Sequence, residues 1–144
     1  MRILVENPPF IDDLRSIFRL PAGAIFTFGD TIFNPSNNPI DEPLMLHETL
    51  HSKQQGNNPQ EWWKRYLVDK DFRLAMEIPA YQIQFHAYKK LDKNRDRVHR
   101  FALRLASDLS GGMYGDCISF MEAVKAIKSD KAYNFNTHID NQIR

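Results

Sequence analysis

From Asp41 to Gln55 the chain has no glycine, and inside that run His47 and His51 stand four residues apart, as HETLH. The local chemistry there specifies a helix. Asp41 or Glu42 is placed to cap its start, Pro43 is tolerated in the first turn, Leu44, Leu46 and Leu50 fall within it, and Gly56 ends it. Asn57-Asn58-Pro59 then reads as a turn that opens the next helix. On a helix, residues four apart share a face with Cβ atoms about 5–6 Å apart, so two imidazoles can serve one metal ion. Glu48 lies about 100° around the axis from His47. That position flanks a metal rather than ligating it, and suits a general base acting on a metal-activated water.

The chain's size and composition restrict the remaining possibilities. At 144 residues, with 42% hydrophobic residues, it suits one domain burying about 68–70% of its unfolded surface. We expect that domain to span residues 1–131, with a polar, Asn-rich tail over 132–144. A formal net charge of +1 gives no general attraction to nucleic acid or to an anionic membrane. Cys117 is the only cysteine, which excludes an intrachain disulfide and a Cys-rich zinc cluster, so any metal must be held by His and carboxylate. The N-terminal residues lack the apolar core of a secretion signal, and no stretch reaches transmembrane length. These features predict a soluble, cytoplasmic protein.

The pattern along the chain predicts α+β architecture, mostly helical, with a small antiparallel sheet near the N-terminus. Ile3 to Val5 reads as a short strand, followed by a helix opened by Pro8-Pro9 with Phe10, Leu14, Ile17 and Phe18 on one side. Ala24–Phe28 and Thr31–Phe33 are β-branched and aromatic runs around Gly29-Asp30, a hairpin turn with glycine first, as type II′ requires. Asn34 to Pro39 is a polar loop. Helices are expected over Pro59–Leu67, Lys70–Leu91, Arg95–Leu109 and Asp116–Lys128, with the Ser110–Gly115 loop before the last.

Two histidines do not complete a catalytic zinc site, which usually takes three protein ligands and leaves a vertex to water or substrate. Glu77, in the helical stretch FRLAMEIPAYQIQ, is the candidate third ligand, with positions 52–76 between it and His51 to form a turn, a short helix and a return. Pro79 has two readings. A proline inside a helix costs about 3 kcal/mol or more, and such breaches concentrate at functional sites; alternatively, Pro79 opens a new helix.

LMLHETLHSKQQ followed by FRLAMEIPAY resembles the gluzincin zinc metallopeptidases, in particular short bacterial and bacteriophage zincin-like proteins with an HExxHxxQ helix and a downstream ExxAY helix. The resemblance also takes in the hairpin AIFTFGDTIF. It implies a zincin-like fold with an edge strand along the cleft, Zn2+ held by His47, His51 and Glu77, and Glu48 as general base. Many gluzincins have an aspartate four residues after the glutamate ligand to orient a histidine; here that position is Tyr81. The interval before Glu77 is longer than in the best-known members, which argues for an inserted helix around Trp62 and Trp63.

Other residues carry both a functional and a structural reading. Tyr114 and Tyr81 are candidate donors to the oxyanion that forms when water attacks a polarised carbonyl, and so is His138 if the tail folds back. For Tyr114 the favoured reading is an aromatic plug over the core. Gln54, seven positions after His47, either supports the site or is a plain polar helix residue. His86 and His99 read as solvated or core-edge residues, and Trp62, Trp63, Tyr66, Phe72, Tyr88, Phe101 and Phe120 as core. The basic stretch from Lys93 to Arg97 with Arg100 and Arg104, interrupted by Asp92 and Asp96, reads as a solvated face.

The expected function is peptide-bond hydrolysis by zinc-activated water, in the cytoplasm, or in a host's cytoplasm if phage-encoded. The partner is a peptide or protein lying as an extended strand along the hairpin edge, with no nucleic acid and no membrane. Two rivals stand beside it. One is a zincin-like binding or structural protein, such as a phage or secretion-apparatus component, that keeps zinc without catalysis. The other is a small nucleic-acid or regulatory module using the Arg95–Arg104 face.

Overall fold

In a computed structural model, residues 1–131 are described. The expected tail over 132–144, with His138, lies outside the described residues. Within them, β1 (Arg2–Leu4), α1 (Ile11–Ile17), β2 (Phe26–Phe28) and β3 (Thr31–Phe33) precede α2 (Glu42–Gln55), α3 (Pro59–Val68), α4 (Lys70–Leu91), α5 (Arg95–Leu109), a 3-10 turn (Gly112–Tyr114) and α6 (Phe120–Lys128). The architecture is α+β and mostly helical. No helix among these residues is long and apolar enough to cross a membrane.

The sheet has the order β1-β3-β2. The hairpin pairs antiparallel, with Phe28 opposite Thr31, but β1 pairs parallel with β3, Ile3 opposite Ile32. The sheet is therefore mixed rather than antiparallel, because β2 starts at the end where β1 finishes and runs opposite to it on the far edge, and the hairpin then reverses the chain so that β3, between them, runs parallel to β1. Gly29 turns the hairpin at φ 62° while Asp30 keeps a negative φ, the combination a type II′ turn needs. Since Phe26 and Phe28 face partners in β3, Thr27 between them turns its peptide groups to the outer edge.

The helix α2 forms as its sequence specifies. The Asp41 side chain accepts from the Leu44 N–H, Pro43 sits in the first turn, and Gly56 ends the helix at φ 53°, ψ −127°. Nothing lies within 4 Å of where a Cβ on Gly56 would be, so the glycine is required by backbone conformation alone. Gly56→Ala is expected to lower stability by about 1–3 kcal/mol, read as a lower denaturant midpoint at unchanged slope. An unchanged midpoint would show that the left-handed stop is not needed.

The long α4 packs against α2, α3, α5 and α6. Its face is set by Phe72, Ala75, Met76, Ile78 and Phe85, all buried, and α5 meets it with Phe101, Ala102, Leu105, Ala106 and Leu109. The three alanines at zero exposure let the backbones approach closely. Trp62, Trp63 and Tyr66 of α3 join Phe18 and Phe26 in the same cluster. Trp62 stacks on Tyr66 at 4.9 Å between centroids.

Three expectations are corrected. Phe120 is 41% exposed and Ile17 48% exposed; each sits at the end of its helix, beyond the buried face. The last helix begins at Phe120 rather than Asp116, because Gly115 and Asp116 take positive φ and the Ser119 side chain caps the Glu122 N–H instead. The third is the parallel β1 pairing. Pro79 lies inside an unbroken α4, which decides between its two readings.

Candidate metal centre

The helix α2 presents His47 and His51 toward α4, and α4 presents Glu77 toward them. The three ligand atoms form a near-equilateral triangle. His51 Nε2 lies 3.1 Å from His47 Nε2 and 3.1 Å from Glu77 Oε1, and His47 Nε2 lies 3.3 Å from the same oxygen. Three vertices of a tetrahedron drawn about 2.0–2.1 Å from a zinc ion stand about 3.3–3.4 Å apart. The triangle is that size to within a few tenths of an ångström, so the His₂Glu set fits a divalent ion. It is also the one group of three or more His, Cys, Asp or Glu residues among the described residues with metal-ligating geometry. All three side chains are buried.

Both rings have their outer nitrogens engaged. Gln84 Oε1 lies 2.9 Å from His47 Nδ1, and Gln54 Oε1 lies 2.9 Å from His51 Nδ1. The Gln54 amide has only one workable orientation, because its Nε2 donates to the Met76 carbonyl at 2.9 Å; its oxygen must then accept, and His51 Nδ1 must carry a proton. This leaves Nε2 for the ion, the arrangement that holds ligand histidines elsewhere. Pro79 has no N–H to give the Ala75 carbonyl, one residue before the Met76 carbonyl that Gln54 reaches.

Glu77 divides its two oxygens. Oε1 faces the histidines, while Oε2 accepts the Tyr66 hydroxyl at 2.7 Å. Burial opposes ionisation, but the cationic His51 and hydrogen bonds from both histidines hold the Glu77 carboxyl well below its ordinary range. For His51, burial opposes the charge, and Glu77, with a smaller part from Glu48, still raises it to about 9. In the metal-free chain a proton on His51 thus occupies the place of the cation. Metal binding must displace it, so between pH 7 and 9 affinity for zinc should rise about tenfold per unit with about one proton released. Calorimetry in buffers of different ionisation enthalpy reads that count; zero protons released at pH 7 would contradict the pairing.

Glu48 is buried beside the triad, and its Oε2 accepts from Thr27 Oγ1 at 2.6 Å. Thr27 is itself anchored, since its carbonyl accepts from Gln55 Nε2 at 2.7 Å and Trp63 Nε1 at 2.9 Å. Gln55 also takes the Gly29 N–H at 2.7 Å. The hairpin edge is therefore occupied at Thr27 and Gly29, and Ile25 is the next outward-facing residue along it. The expected strand-binding edge is shorter than the hairpin.

A cavity of about 300 Å3 opens over the triad, walled by Phe18, Ile25, Leu44, Trp62 and Met113 among others, with Glu48, Tyr81 and Tyr114 on its lining. The two tyrosine hydroxyls lie 2.7 Å apart. One donates to the other, which leaves the second proton with no acceptor among the described residues. Burial, with the nearby Glu77 charge, raises both hydroxyls well above their ordinary value, so they remain donors. The Tyr81 ring meets His47 edge-on at 4.6 Å, and the Tyr114 backbone is held by Arg73 Nη1 at 3.0 Å.

All six site residues expected from sequence line this one cavity. His86 bonds the Ser129 carbonyl and the exposed His99 lies near Lys128, both outside it. Sequence reasoning missed Thr27, the role of Tyr66 and the pairing of Gln84 with His47. Gln84 had a signal, since it stands two helical turns from Glu77, the spacing that singled out Gln54 from His47. Thr27 and Tyr66 carried none that separates them from ordinary strand and core residues. Comparison with protein-family profiles, with curated proteins and with solved structures finds no match to this chain.

Proposed function

We propose that this protein is a zinc-dependent peptidase of the gluzincin type, in which His47, His51 and Glu77 hold the ion. The observation that carries the reading is the triangle of ligand atoms with a buried, Thr27-anchored Glu48 next to it, at the floor of a cavity. A zinc ion in that triangle supplies Lewis acidity, acidifying water and polarising a carbonyl. Glu48 takes a proton from the attacking water and passes it to the leaving amine. Thr27 holds one Glu48 oxygen and directs the other to this work. The unspent proton of the Tyr81–Tyr114 pair donates to the carbonyl oxygen as its negative charge develops. Gln54 and Gln84 keep both imidazole rings in ligating orientation.

The substrate lies as an extended peptide against Ile25, whose peptide groups continue the outer edge beyond Thr27. Because Gln55 and Trp63 occupy the next positions, pairing stops there, and this end of the edge sets the register. No nucleic acid or membrane enters the reading; Arg97, in the basic stretch, is paired with Asp92 at 2.8 Å. A cytoplasmic setting, or a host's cytoplasm for a phage-encoded chain, suits a protein whose one cysteine is free.

The non-catalytic rival draws on the deep burial of the ligands, which suits zinc kept for stability or docking. A library of short peptides incubated with zinc-loaded protein separates the two. Cleavage that a chelator stops and added zinc restores is the expected result. Stoichiometric zinc with no cleavage of any peptide would favour the rival.

A further inference from the structure

Glu77 is a carboxylate with two oxygens, and a buried carboxylate facing a divalent ion readily gives both. Here the second oxygen is already engaged. Tyr66 Oη donates to Oε2 at 2.7 Å, while Oε1 alone completes the triangle with the two histidine nitrogens. Glu77 and Tyr66 are each only 4% exposed, so the bond is shielded from bulk water.

Tyr66 is itself immobilised from several sides. Trp62 stacks on its ring, Phe18 meets it edge-on at 6.4 Å, and the Arg73 Nε donates to its carbonyl at 2.9 Å. The hydroxyl therefore sits at a fixed point against Glu77 Oε2, the oxygen other than the one that meets the histidines.

We infer that Tyr66 is a positioning residue that fixes Glu77 as a one-oxygen ligand, and so keeps open the coordination vertex that water and substrate need. This rests on the metal-site reading above. The Tyr66 hydroxyl is the donor to Oε2 among the described residues, and without it Oε2 turns to the ion. Both oxygens then bind, and the ion has less room for an external ligand. Outer partners of this kind are part of what sets a metal site's properties.

The test is a Co2+ titration of the full chain and of Tyr66→Phe, followed by visible absorption. The parent should bind one ion with an intense four-coordinate band. Tyr66→Phe should bind it with that band largely lost, as coordination expands, and with the melting transition of a folded protein. A parent-like band in folded Tyr66→Phe overturns the inference and leaves the metal site standing. A parent that binds no Co2+ overturns both. Should Tyr66→Phe not fold, a crystal structure of the zinc-loaded parent decides. Glu77 Oε2 on Tyr66 and outside bonding distance of the ion supports the inference, and Oε2 bonded to the ion overturns it.

Discussion

Glu48→Gln should keep the metal and lose hydrolysis by about 10²–10⁴-fold, the range a positioned general base contributes. The substitution preserves the shape of the side chain and can still accept from Thr27 Oγ1, the bond that orients Glu48 at 2.6 Å. It removes only the capacity to take up a proton at working pH. The three ligand atoms belong to His47, His51 and Glu77 and do not pass through Glu48, so zinc content should match the parent. Cleavage of a peptide found with the parent is the readout. Parent-like turnover in a zinc-replete Glu48→Gln protein would remove Glu48 from the chemistry, and loss of zinc would mean that it ligates.

Glu77→Ala should abolish stoichiometric zinc binding and destabilise even the metal-free chain. The carboxylate is buried against the raised His51 and the Tyr66 hydroxyl, and removing one partner of such a pair costs about 3–5 kcal/mol. The dependence on pH follows from both partners. His51 is raised, so its contribution is complete below its ordinary value of 6.5 and is lost as pH rises through about 9. Glu77 is lowered, so its contribution is present above its ordinary value of 4.5 and is lost as pH falls toward its depressed value. The metal-free parent should therefore be most stable between those two ordinary values, and Glu77→Ala should flatten the profile. Denaturant midpoints across pH measure this. A parent-like profile in Glu77→Ala would show that the pair contributes no stability.

Local, short-range rules made the helices legible. Asp41 and Gly56 bound α2, and α4 and α5 run over the expected residues because apolar spacing and the Asp69 and Asn94 caps agree there. The hairpin was legible from Gly29 for the same reason. The parallel pairing of β1 was not, because three residues carry no register information and their partner lies across α1. The candidate ligands also stood out, His47 and His51 from their four-residue spacing on a helix without glycine and Glu77 as a carboxylate on a later helical stretch. Their supports were mostly hidden. Thr27 and Tyr66 are ordinary residue types whose roles arise from a hydroxyl reaching across the fold, and a linear pattern does not encode that distance. Gln84, one turn after Tyr81 along α4, reaches His47 Nδ1 on α2, a pairing between two helices that neither segment's pattern encodes.

Crystals of the protein grown with zinc, with diffraction recorded on both sides of the zinc absorption edge, test the central claim most directly. The account predicts a single anomalous peak bonded to His47 Nε2, His51 Nε2 and Glu77 Oε1, its remaining vertex facing the cavity and held by no protein atom. An absent peak, or a fourth protein side chain closing the coordination, would contradict it.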